Sequence, residues 1–424
     1  MEQVINPVKR VNQKPYSRIE LMNALDRTNW TPVTFGEVCR NLNETEKDLL
    51  GNGIERYVGL EHIEPNSLHI KSWGNVADGT TFTKKFNAGH VLFGKRRAYL
   101  RKAAIPDFDG VCSGDILVFE ANEEIIDSNL FPFLVQSDRF FDFAIQTSSG
   151  SLSPRTKFQD LAKLEFLLPP KEQQAELAEL LWAADDVMQD YLNVVKALLQ
   201  IKSNYSQLKY FNGKRVNRAD DIQVPEGWQL VPVKDCVESI EYGISLSIPD
   251  NADVNGFPIL STAELNTDGT ISYDEIRTIA YAKGLNDRLI LRTGDIVFNW
   301  RNSPELIGKS AIFKQPSNKL KYTYASFLLR IRCDEIASHN EYLAQLFNYY
   351  RESGIFIGMA RKAVNQANFN KQEVYELRIP LPSYVEQVKI AQQLRLLDMQ
   401  MESFTSQYYQ TRSIQMQITN QIFS

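Results

Sequence analysis

The second half of the chain repeats the organisation of the first, and a repeat of this span constrains the architecture more than any single motif. The openings match: NWTPVTFGEVC runs from Asn29 to Cys39 and GWQLVPVKDCV from Gly227 to Val237, each with a Trp (Trp30, Trp228) ahead of a short segment holding a Val and a Cys. Further on, AGHVLFGKRR (Ala88 to Arg97) corresponds to TGDIVFNWRN (Thr293 to Asn302), each a Gly turn, an apolar strand core and a polar or basic exit. Each half closes on a Pro-rich strand end and a Glu-Gln pair, LEFLLPPKEQQAELAELL from Leu164 and LRIPLPSYVEQVKIAQQL from Leu377, with Glu172-Gln173 answering Glu386-Gln387. At 424 residues the chain exceeds one ordinary domain, and the repeat halves it.

A long helix follows each Glu-Gln pair. In the first, Leu180, Ala184, Val187, Tyr191, Val194, Leu198, Ile201, Tyr205 and Leu208 step by four and three without a break, which is a 3.5-residue period. In the second, Ile390, Leu394, Leu397, Met401, Phe404 and Tyr408 keep the period, which weakens at Thr411 and Gln415 before Ile418 and Ile422. At 1.5 Å per residue, helices of about 35–40 residues reach roughly 55–60 Å. A single narrow seam of that length needs a partner, so the two are expected to pair as an antiparallel coiled coil; the alternative is that each packs on its own domain. Elsewhere RYVGLEHI, HVLFGK, GDILVFE, DIVFNW and SFLLRIR show strand-like alternation, with helical patches at LFPFLVQSDRFFDFAIQ and NEYLAQLFNYYRESG. The expected fold is mixed α/β. Its segments are a first domain over 1–170, a central helix over 171–212, a second domain over 213–382 and a closing helix over 383–424. The junction FNGKRVNRADDIQVPEGW, from Phe211, reads as a connector.

Taken in order, the VPEGW opening, the YVGLEHI segment and the PLP-then-EQ strand end running into a long helix resemble the specificity subunits of Type I restriction–modification systems. The resemblance covers nearly the whole chain beyond its first 25 or so residues. One departure is PLPSYVEQ in the second half, where the pattern is closer to PLPPxxEQ. The resemblance implies two target-recognition domains, each reading one half of a split site in double-stranded DNA, with the paired helices as a ruler between them. It implies docking of methyltransferase subunits, two of them, and later of restriction/translocase subunits. It also implies that S-adenosylmethionine, ATP and Mg²⁺ belong to those partners and that this chain carries no cofactor; the sequence's own lack of an apolar span or signal-peptide core points to a cytoplasmic chain without membrane contact.

The residues offer candidate contacts. From Lys84 to Lys102 the chain holds Lys84, Lys85, Lys95, Arg96, Arg97, Arg101 and Lys102, with Tyr99 among them and no Asp or Glu. That suits phosphate neutralisation, with an Arg or two able to reach guanine edges; the plainer alternative is a solvated surface. In the second half Trp300, Arg301 and Asn302 occupy the matching strand exit, followed by Lys309, Lys314, Lys319 and Lys321. A second loop precedes each closing strand: SSGSLSPRTKF, with Ser151, Arg155 and Lys157, and GMARKAVNQANF, with Arg361, Lys362, Asn365, Gln366 and Asn368. Asn and Gln pair naturally with adenine. Tyr205, Tyr210, Phe211, Tyr408 and Tyr409 read as packing.

Several classes are disfavoured. No Asp-x-Lys or Glu-x-Lys of a nuclease centre occurs, and neither does a phosphate-binding GxxxxGK[ST] loop nor a GxSxG elbow. Cys39, Cys112, Cys236 and Cys333 are scattered and read as structural thiols in a reducing compartment. His62, His69, His90 and His339 show no metal-ligand spacing, so no metal is assigned. No apolar run approaches a bilayer span, and the polar start MEQVINPVKRVNQKPYSR lacks a signal-peptide core. The net charge of −5 counts against a nucleic-acid partner only mildly, because local distribution decides phosphate contact. Two other readings stay open: a protein-binding scaffold, and a nuclease or methyltransferase whose site is not visible in the motifs.

Overall fold

The computed structural model describes residues 27–245, 256–274, 276–279, 287–318, 320–363 and 366–424, with the backbone alone for Asp220, Asp287, Arg361, Lys362, Ala363 and Gln366. The chain forms two compact units, one of residues up to Tyr191 with Ser406–Ser424, the other Leu192–Thr405. The central helix runs Lys171–Phe211 and the closing helix Tyr384–Phe423, 41 and 40 residues. The division therefore falls inside the helices and not at their ends. The physical cause is packing. Ala178 and Leu181 of the central helix and Ile422 and Phe423 of the closing helix lie in the first unit's main core. Tyr210, Phe211, Ile390, Ala391 and Leu394 lie in that of the second.

In the first unit the strands are β1 (Thr31–Thr34), β2 (Cys39–Leu42), β3 (Arg56–Val58), β4 (Gly74–Asn75), β5 (Lys84–Phe86), β6 (Val91–Gly94), β7 (Ala103–Ala104), β8 (Gly110–Cys112), β9 (Ile116–Ala121) and β10 (Glu165–Leu168). In the second they are β11 (Gln229–Pro232), β12 (Val237–Tyr242), β13 (Phe257–Leu260), β14 (Thr278–Ile279), β15 (Ile296–Asn299), β16 (Arg301–Asn302), β17 (Ser310–Ile312), β18 (Thr323–Tyr324), β19 (Leu328–Cys333), β20 (Arg361–Ala363), β21 (Gln366–Asn368) and β22 (Arg378–Leu381). Each unit has a four-stranded antiparallel sheet of the same order, β2-β9-β6-β7 and β12-β19-β15-β17. Each also pairs its opening strand with its closing one, β1 with β10 and β11 with β22. Beside the main sheet a second one holds a parallel pair, β3 with β8 and β13 with β18.

The cores of the central strands, VLFG of β6, ILVF of β9, IVF of β15 and LL of β19, are apolar because both faces of the sheet are covered. Val91, Phe93, Leu117 and Phe119 point into the helix-side core, while Leu92, Ile116 and Val118 join the core of the second sheet. The second unit repeats this, with Ile296, Phe298, Leu329 and Ile331 on one side and Val297 and Leu328 on the other. Each fully buried side chain of this size contributes roughly 1.5–3 kcal/mol. The four cysteines are free and buried; burial pushes the Cys112 and Cys236 thiols up to about 12 and Cys333 to about 11.

The shared Glu-Gln signature has a structural reason, but its register differs by one residue in the first half. Gln174, rather than Gln173, corresponds to Gln387. Gln174 Nε2 donates to Pro169 O (2.8 Å) and Ile125 O, and its Oε1 accepts from Asp127 N. Gln387 Nε2 donates to Pro382 O (3.0 Å) and Ala337 O, and its Oε1 accepts from His339 N. In each unit a buried carboxamide thus satisfies three backbone groups where strand gives way to helix. Gln173 instead accepts a hydrogen bond from Trp30 Nε1.

In each unit the two long helices lie side by side: within the first Gln415 Nε2 donates to Leu181 O, and within the second Lys202 bonds Asp398. The closing helix buries or half-buries its expected seam, Leu394, Leu397, Met401 and Phe404 included. The central helix buries the adjacent row, Ala178, Leu181, Asp185 and Met188. Leu180, Val187, Val194, Ile201 and Leu208 are exposed, Ile201 to 52% and Leu208 to 57%, and Leu198 is half-buried. Both rows share the 3.5-residue period, which specifies spacing but not phase. The inward row wins because its polar members find partners. Asp185 takes a 2.6 Å hydrogen bond with His69 Nε2, and this bond pushes the His69 pKa up. Among the described residues no helix is long and apolar enough to cross a membrane.

Candidate nucleic-acid interface

The two candidate segments of each half, far apart in sequence, are joined by backbone hydrogen bonds. In the first unit β6 ends at Gly94, and Lys95 N donates to Asp115 O while Lys95 O accepts from Thr156 N. Arg96 then forms an antiparallel bridge with Arg155, which also bridges Ser149. Arg97 N donates to Pro154 O at 2.8 Å. The strand exit and the Ser148–Lys157 loop thus form one continuous surface, with Lys95 half-buried and Arg97, Ser151, Arg155 and Lys157 exposed.

Asp115 organises the cations there. Its carboxylate accepts from Arg155 Nε at 2.9 Å and lies 3.6 Å from Arg96 Nη1. The Arg155 hydrogen bond, with the charges of Arg155, Arg96 and Lys95 behind it, holds this carboxyl below the usual range. Arg96 also donates to Ser153 Oγ. One carboxylate facing several cations fixes their geometry and leaves a positive excess for an anionic partner.

Other residues of the basic block face inward. Lys84 Nζ donates to Ile116 O, and burial pulls its pKa down. Lys102 Nζ donates to Leu60 O at 2.6 Å. Arg101 bonds Asn66 Oδ1 and Gln136 O and pairs with Asp138. Lys84 and Lys85 lie on β5, in the second sheet, and Lys84 Nζ is turned inward onto Ile116 O, opposite Gly94 at the end of β6. The chain's backbone carbonyls occupy Lys84 and Lys102, and Arg101 is an anchor, so these three are set apart from the contact surface.

The second unit repeats the junction in another form. β15 runs through Trp300 into β16, which pairs with β21 (Arg301 opposite Asn368, Asn302 opposite Ala367), and β21 also pairs antiparallel with β20. Trp300 is half-buried; its Nε1 donates to Ser326 O and its ring meets Tyr242 and Phe327 edge-on. The Arg301 guanidinium lies 5.0 Å over the Phe327 ring. Asn302 Oδ1 accepts from Ser303 N. Lys309 is corrected from contact to core: it is buried, and its Nζ donates to Thr262 O and Leu265 O. Lys314 and Lys321 are exposed. Lys319, Asn365 and the side chains of Arg361, Lys362 and Gln366 lie outside the described residues.

Asp115, Ser153, Tyr242 and Phe327 belong to these sites and were not singled out on sequence. Asp115 and Phe327 sit inside segments that read as ordinary strand edges, and only the pairing of distant strands brings them to the cations.

A family model described as the Type I restriction modification DNA specificity domain matches the chain twice, over residues 27–197 and 225–408. The chain is 32% identical over 197 residues to the MjaX type I restriction enzyme specificity subunit of Methanocaldococcus jannaschii, described as putative, an alignment covering 45% of this chain and 44% of that protein. It is 27% identical over 220 residues to the EcoDI type I restriction enzyme specificity subunit of Escherichia coli, covering 49% and 47%. The chain thus spans about half the length of these curated relatives. Its fold is similar to that of a crystallised Type-I restriction–modification S subunit from M. genitalium, with a TM-score of 0.57, 11% identity and coverage of 93% of this chain and 96% of that one.

Proposed function

The chain belongs to the Type I restriction–modification DNA specificity family, and from that membership we propose that it reads a split site in double-stranded DNA for a complex whose reactions are carried out by other subunits. The observation that carries this reading is the repeated junction. In both units the exit of the central strand is hydrogen-bonded to the loop before the closing strand, giving each unit one polar surface of its own. Lys95, Arg97, Arg155 and Lys157 suit phosphates and guanine edges. In the second unit Arg301, held on Phe327, and Asn368 on the paired strand supply cation and carboxamide. The methylation and cleavage chemistry, with S-adenosylmethionine, ATP and Mg²⁺, would reside on methyltransferase and restriction partners.

The test is methylome sequencing of cells expressing a partner methyltransferase subunit with and without this chain. A split methylated motif dependent on the chain supports the reading. No new motif from an assembled complex overturns it and favours a protein scaffold. At the level of single residues, Arg97→Ala weakens DNA binding by the complex and lowers the slope of log affinity against log salt by about 1 if it meets a phosphate. An unchanged affinity and slope would remove Arg97 from the surface.

A further inference from the structure

Backbone strain in the first unit is concentrated at one turn. Among the described residues other than glycine, positive φ occurs at Asn66, Arg97, Arg101 and Asn212, and the first three build a single feature. A short 3₁₀ turn, Ala98–Leu100, is bracketed by Arg97 (φ 56°) and Arg101 (φ 51°), both left-handed. Side chains with a Cβ resist this conformation, and it persists only where the surroundings over-determine it.

The anchors are visible. Asn66 N donates to Arg101 O, and Asn66 Oδ1 accepts from Arg101 Nε at 2.6 Å. Arg101 Nη2 lies 2.7 Å from the Asp138 carboxylate, with its guanidinium 4.5 Å over the Phe141 ring. Two of these anchors are held in turn by the closing helix. Arg412 donates to Asn66 O at 3.0 Å, and Asn420 Oδ1 accepts from Asp138 N at 2.8 Å. What this clamp holds out is largely apolar: Tyr99 is 53% exposed and Leu100 is exposed beside it. The turn rises from Arg97, at the edge of the basic surface formed with the Ser148–Lys157 loop.

A rigid turn with an aromatic hydroxyl and a branched aliphatic, set beside cations, has the make-up of a base reader. A phenol donates or accepts at a base edge, its ring meets a thymine methyl, and an aliphatic neighbour wedges at a flexible step. We propose that Ala98–Leu100 is the base-reading finger of the first unit. Tyr99 is its specificity-determining side chain, and Arg101, Asn66 and Asp138 are positioning residues. This rests on the DNA-reading function proposed above. The second unit continues from Asn299 through Trp300 into β16 without such a turn, so the finger belongs to one half-site and the other serves as an internal control.

The experiment is methylome sequencing with the full chain and its methyltransferase partner, comparing the unsubstituted protein with Tyr99→Ala and Arg101→Gly. Glycine tolerates the left-handed backbone at 101 and removes the guanidinium anchors together with the rest of the side chain. The expected result is a first half-motif that becomes degenerate at one or two positions in both variants, with discrimination falling about tenfold or more. The second half-motif stays intact, reporting from the same molecules that the variant is folded and assembled. A wild-type motif from Tyr99→Ala overturns the finger. Loss of both half-motifs from a soluble variant also overturns it, since that marks an assembly contact. If the unsubstituted chain directs no split motif, the proposed function itself fails and the finger with it.

Discussion

Asp295→Ala removes about 3–5 kcal/mol from the stability of the second unit, the range for breaking a buried ion pair by deleting one partner. Asp295 is 2% exposed and immediately precedes β15. Its two carboxylate oxygens accept from Arg332 Nε at 2.7 Å and Nη2 at 2.8 Å, a bidentate fork, and Oδ2 also accepts from Arg292 N at 2.7 Å. Alanine leaves the Arg332 charge in a largely buried place without its counter-ion and orphans the Arg292 N–H. Asn keeps the shape but presents an NH₂ to one arm of the fork, so Asp295→Asn falls between. Hydrogen exchange in β12, β15 and β19 against denaturant measures the loss unit by unit. A change within about 0.5 kcal/mol, the usual range for surface substitutions, would mean that solvent replaces the fork. The same strand leads at its other end to Trp300 and Arg301, so local opening of β15 also disorders the second junction.

Phe119→Ala in the first unit has an effect of similar size, about 3–5 kcal/mol, from lost transfer energy plus the cavity left behind. Phe119 is fully buried on β9. Its ring meets Phe35 edge-on at 5.3 Å and stacks with Phe93 at 5.8 Å, with Phe140 and Phe158 closing the cage. These neighbours come from β6, two short helices and the first turn after β1, each with its own hydrogen bonds, so the cage has little freedom to collapse. Phe119→Leu refills most of the volume and costs less. Thermal or denaturant unfolding checks both; an alanine cost below about 1 kcal/mol would place Phe119 at the low, collapsible end of such sites.

Much of the fold was legible in the sequence because its signals are local. The apolar cores VLFG and IVFN, the Pro-to-Gln strand ends and the 3.5-residue helical period each report on a residue's near neighbours, and the structure has strands and helices at those places. Register and phase were less legible. Gln173 and Gln174 are adjacent and chemically identical, and only the distance to Pro169 O and Asp127 N selects Gln174. Two rows of the same period run along the central helix, one apolar and one carrying Asp185, and only the facing surface selects the inner one.

The sequence by itself determined the duplication, the two long helices and the apolar strand cores VLFG and IVFN, because repeats and periodicities are properties of short stretches of chain. The tertiary structure alone decided which cations face outward. Lys84, Lys102 and Lys309 carry the same charge as Lys95 and Lys157, yet they end on Ile116 O, Leu60 O and Thr262 O, carbonyls tens of residues away in sequence. A lysine turns inward when a distant backbone oxygen would otherwise be buried without a donor, and no local pattern records where that oxygen will be.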